Sequence, residues 1–60
     1  MSKAIFTTSR IAANEEQIAA LLTMVAVERR SKHHDVVAQL NRQISSKRTW
    51  IKAAHAALAV

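Results

Sequence analysis

The chain reads as all-α: an antiparallel helical hairpin with a short extended N-terminal arm, pairing as a homodimer into a four-helix bundle. Three observations predict this. The 60 residues contain no Gly and no Pro, the residues that most often turn a chain or stop a helix. Apolar residues recur at spacings of three, four and seven, the period of a helix face. The longest interior stretch free of apolar residues contains Arg30–Asp35, the one place after position 9 that reads as a turn. A chain with a single interior turn is two long helices and little else.

The elements follow in order. Residues 1–8 form the arm. Ser2–Thr8 is β-prone and carries no helical stripe, so it reads as extended chain or one short strand. Residues 9–60 form the hairpin. Thr7, Thr8 and Ser9 are each possible N-caps, and Asn14 with Gln17 three residues on is a capping-box alternative. Helix 1 therefore starts between 9 and 14 and runs to 30. Its stripe is Ile11, Ile18, Leu21, Leu22 and Val25. Glu15 and Glu16 fall near its positive end and Arg29 and Arg30 near its negative end, as the helix dipole prefers. A second apolar surface, Ala13, Ala20, Met24 and Val27, lies on the other side. A helix apolar on two sides calls for more than one partner.

Residues 31–34 make the turn, with Ser31 or Asp35 available to cap the next helix. Helix 2 spans 34–58 on a stripe of Val37, Leu40, Ile44, Ile51, Ala54 and Leu58. Four of these recur every seven residues, so Ser45-Ser46 does not break it. The residues expected to form the core and the dimer contact are Ile11, Ile18, Leu21, Leu22, Val25, Val37, Leu40, Ile44, Ile51 and Leu58. One hairpin leaves a side of each stripe wet, and two hairpins can bury both.

Composition narrows the function. Cys is absent, which excludes a disulfide and a thiolate metal site. A chain this short buries only roughly 60% of its unfolded surface, so oligomerisation is the remaining staple. The longest apolar run, Ile18–Val27, is too short to span a bilayer, and a cytoplasmic location fits. The four acids, Glu15, Glu16, Glu28 and Asp35, are accounted for by helix-end electrostatics. No nucleophile–base set is evident, so no enzyme, cofactor or metal is expected. His33 and His34 are neighbours and point about 100° apart on a helix, which prevents them from sharing a metal. His55 lies close to the helix 2 stripe, at a position that reads as partly buried.

The net charge of +5 is the stronger signal. Arg29, Arg30 and Lys32 form one basic cluster, and Lys47, Arg48 and Lys52, with Arg42 nearby and Trp50 among them, form a second. Arg and Trp together are typical of binding hot spots. Lys47 sits near the stripe, where a cation can snorkel or set register. The expected function is a small non-enzymatic regulator that binds and modulates or inhibits a protein with an acidic surface through a basic helical face. The alternative is a nucleic-acid-binding regulator. An arm followed by two helices resembles the ribbon-helix-helix repressors, whose paired strands enter the major groove. Lys3, Ile5 and Thr7 would then form the strand face. Helix 2 is longer than that family implies, and the turn lacks its usual glycine. A helical-hairpin dimer holding RNA along its outside is the closer architectural likeness. A membrane-surface role fits less well, because helix pairing already explains the apolar stripes.

Overall fold

The computed structural model describes residues 5–59. Among them there is no strand, and two helices account for nearly all of the chain: α1, Thr8–Arg30, and α2, His34–Leu58. They pack side by side as a hairpin with extents of 43 × 16 × 15 Å. The long axis is little more than the length of α2 itself, about 37 Å at 1.5 Å per residue. The first four residues of the expected arm lie outside the described range.

Helix α1 begins one residue before the expected window. Thr7 is extended (φ −106°, ψ 155°) and its Oγ1 accepts the Arg10 N–H at 3.1 Å. The capping-box alternative at Asn14 is not used. With the end already satisfied two turns earlier, the Asn14 amide donates instead to the Arg10 carbonyl within the helix, at 2.8 Å. This start has an electrostatic consequence. Glu15 and Glu16 lie beyond the first turn, which holds no acid. The helix-end field decays within one turn, so it does not explain these two residues. Arg29 and Arg30 do sit in the last turn.

The reversal is a Schellman motif made without glycine. The Lys32 N–H donates to the Arg29 carbonyl at 3.1 Å and the His33 N–H to the Glu28 carbonyl at 3.0 Å. That geometry needs a left-handed residue after the helix, and Lys32 supplies it at φ +59°. The hydrophobic contact that usually closes this motif is replaced by a polar one, with His33 Nδ1 2.6 Å from Glu28 Oε2. Neither Ser31 nor Asp35 caps α2. The N-cap is His33, whose side chain makes no capping bond because its ring is engaged by Glu28. Asp35 lies in the first turn of α2, where a negative charge favours the helix dipole.

The core is one seam. Val25, Leu40 and Ile44 are buried together near the turn, with Ile18, Leu21 and Val37 packed on them. Ile11 and Ala54 are buried towards the open end. Lys47 Nζ donates to Gln17 Oε1 at 2.6 Å, and both residues lie fifteen positions from Lys32, so this bond marks the register. Ala54, fully buried, lies opposite Ile11 in that register. Two expected core residues are not in the seam. Leu22 (45% exposed) and Leu58 (46%) face outwards in the hairpin. Leu22 is one residue from Leu21, about 100° around the helix, and only one of that pair can face α2. Leu58 is the last residue of α2, and in this register its level lies before the start of α1 at Thr8. His55 is exposed as well, being one residue and so about 100° around the helix from the fully buried Ala54.

Two predictions test the turn and the seam. Lys32→Gly relieves left-handed strain at the one position that requires it and should stabilise the hairpin by roughly 1 kcal/mol in denaturant titration. Ala54→Leu forces extra volume into a fully buried site and should destabilise by about 1–3 kcal/mol in the same titration.

Candidate functional site

No concave catalytic centre is present among the described residues. No three His, Asp or Glu side chains come together there, and the surface depressions are shallow and open, one along α2, one at the turn and one between Gln17, Ala20 and Leu21 of α1 and Gln43 and Lys47 of α2. Thr49 Oγ1 donates to the Ser45 carbonyl and Thr23 Oγ1 to the Ala19 carbonyl, so both hydroxyls are engaged by their own helix. The candidate sites are faces.

The turn carries the first basic cluster. Arg29 and Arg30 end α1, Lys32 is the left-handed residue, and all three are exposed. Lys32 borders a shallow depression with His33, His34, Asp35 and Val36. His33 is held by Glu28, which anchors that wall.

The second cluster is divided by the helix. Arg48 and Lys52 line an open groove along α2 with Asn41, Ser45, Thr49 and the edge of Ile44. Lys47 is half-buried on the opposite flank, bonded to Gln17 across the hairpin beside Gln43, Ala20 and Leu21. Arg42 is exposed on the side away from the seam. Trp50 is two residues from both Arg48 and Lys52, about 200° around the helix from each. It is half-buried and packs against Phe6, with centroids 5.4 Å apart and planes inclined at 45°. The structure therefore brings Arg48 and Lys52 together and places Trp50 and Lys47 elsewhere. The turn cluster lies roughly 24 Å from Arg48 along the rod, given sixteen residues at 1.5 Å each.

Comparison with family models, with curated proteins and with solved structures finds no match for this chain. Its chemistry is therefore read from its own surface. Among the described residues no Lys or Arg side chain is paired with a carboxylate, and the one ion pair is His33–Glu28. The groove on α2 thus presents cations that no described carboxylate neutralises. It also presents Asn41, Ser45 and Thr49, which reading by charge alone passes over. Their signal was present in the sequence as the series Asn41, Ser45, Arg48, Lys52, a run of polar residues at spacings of four, three and four. The contact of Phe6 with Trp50 had no such signal, because it joins a residue outside the helices to one near the middle of α2.

No helix among the described residues is long and apolar enough to cross a membrane. The Phe6–Trp50 contact can be read directly, since Trp50 is the only tryptophan of the chain. Phe6→Ala should expose the indole, shift its emission to longer wavelength and increase its quenching by acrylamide, with helical circular dichroism nearly unchanged. Unaltered emission would show that Phe6 does not shield Trp50.

Proposed function

We propose that this protein is a small non-enzymatic regulator that works as a homodimer of hairpins. It binds an acidic surface on a protein partner through the basic face of α2, and modulates or inhibits that partner by covering the surface. The observation that carries this reading is the unneutralised groove of Arg48 and Lys52 among Asn41, Ser45 and Thr49. A rigid helix presents these donors at fixed spacing, which lowers the entropy lost on binding. Arg42 and the turn residues Arg29, Arg30 and Lys32 extend the positive field at either side and steer an anionic partner. Trp50, half-buried under Phe6, lies outside this groove and supports the hairpin that presents it.

One observation favours a second reading. The groove holds hydrogen-bonding side chains and, apart from the edge of Ile44, no large apolar group. A phosphate backbone asks for such a lining, whereas a protein hot spot usually has an aromatic or aliphatic anchor. Nucleic acid is therefore the alternative ligand of the same face.

Salt separates the two. Binding to a protein partner should survive nuclease treatment and weaken by less than about tenfold between 50 and 200 mM salt. Binding to nucleic acid should weaken by on the order of a hundredfold or more over that range. Replacing both Arg48 and Lys52 with Ala should reduce either interaction by about tenfold or more while the hairpin stays folded. Retention of full affinity by that variant would overturn the assignment of the face.

A further inference from the structure

The two helices differ in where their charge lies. On α2, charged residues occur along the whole length: Asp35, Arg42, Lys47, Arg48 and Lys52. On α1 they flank an uncharged middle. From Gln17 to Val27 there is no charged residue on any side of the helix, a girdle roughly 16 Å long. Only one side of this girdle meets α2. Leu22, Met24 and Val27 are 45, 50 and 52% exposed; Val27 lies opposite the core stripe, and Leu22 and Met24 lie about 120° and 80° around the helix from that face. A helix that is apolar all round belongs in the interior of an assembly.

The surface area agrees. The chain exposes 4619 Å². A compact monomer of its mass would expose about 3,900 Å². The surplus, roughly 700 Å², is close to the 800 Å² or so that each partner buries in a standard interface.

We infer that the outward face of α1 is the dimer seam and that its occupant is α1 of a second copy, running antiparallel. This deepens the homodimer reading above and rests on it. The face directly opposite the core stripe carries Glu16, Ala20, Thr23, Val27 and Arg30, at alternating spacings of four and three, all exposed in the hairpin. Its two charges are opposite in sign and stand seven residues on either side of Thr23. An antiparallel pair crossing at Thr23 places Glu16 against Arg30 of the partner subunit at both ends. A parallel pair would place Glu16 against Glu16 of the partner subunit and Arg30 against Arg30 of the partner subunit. Charge complementarity therefore selects the antiparallel arrangement. Helix α1 starts at Thr8, which removes Glu16 from the helix-end field and leaves this acid without another role. The central Thr23 can be buried, because its hydroxyl donates to the Ala19 carbonyl at 3.2 Å. Ala20 beside it permits close approach. In this dimer the α1 helices form the interior, and the basic grooves of α2 face outwards on both sides.

The absence of native cysteine allows a direct test on the full chain. Thr23→Cys should oxidise readily to a covalent dimer, since position 23 faces itself across the two-fold axis. Ala13→Cys and Ser45→Cys should not, the former because its copies lie about 30 Å apart. In sedimentation equilibrium Glu16→Arg should weaken the dimer by about tenfold. Adding Arg30→Glu to that variant should restore it, because the pair is rebuilt with its signs exchanged. Efficient cross-linking at Ala13→Cys would show a parallel seam, and preferential cross-linking at Ser45→Cys would move the contact to α2. Either outcome overturns this inference, as does a wild-type dimer that none of the cysteines captures. A wild-type chain that sediments as a monomer at all concentrations would instead defeat the homodimer reading itself.

Discussion

The left-handed backbone at Lys32 is the constraint on which the hairpin depends. A non-glycine residue in that region costs about 1–2 kcal/mol. The Schellman bonds to Arg29 and Glu28 offset it by satisfying carbonyls that would otherwise end α1 unpaired. The His33–Glu28 side-chain contact repeats the link made by the backbone. Once the reversal is set there, the register of the two helices follows: Gln17 meets Lys47, and Ile11 comes opposite Ala54. The same reversal decides which residues are left outside, and so where a binding face can be.

The two helices carry different kinds of surface. Helix α2 keeps a single buried stripe and a polar exterior, and its cations along Arg48 and Lys52 remain unpaired. Helix α1 spreads apolar side chains over its circumference and carries its charges on either side of an uncharged middle. A hairpin with these two exteriors has a natural inside and outside with respect to a further partner. The small number of buried residues sharpens the point. Among the described residues five apolar side chains are buried, and one of them is an alanine.

Much of this architecture was legible in the sequence. The stripe of Val37, Leu40, Ile44, Ile51 and Ala54 held its phase over the length of α2, and its ends were marked by the polar run before it. The far end of α1 was clear for the same reason. Its beginning was less so, because Thr7, Thr8, Ser9 and Asn14 have similar capping chemistry and only the three-dimensional bond to the Arg10 N–H distinguishes them. The turn was located, but its caps were not. Local rules favour Ser31 and Asp35, whereas the Glu28–His33 contact commits the turn to another geometry. The basic cluster around Trp50 shows the limit of reading proximity along a chain. Residues adjacent in sequence on a helix diverge in space, so Trp50 and Lys52 look in nearly opposite directions, and the groove partners Asn41 and Ser45 come from one and two turns away.

The hairpin topology also orders events in time. Contacts between the helices join residues at equal distances on either side of Lys32, so the chain length enclosed by each contact grows steadily from the turn outwards. Loop-closure entropy grows with it. The Val25–Leu40 region encloses little chain, while Ile11 with Ala54 encloses most of it. Loop entropy therefore favours closing the hairpin from the turn outwards. Opening begins at the other end, where Phe6 against Trp50 is the final clasp.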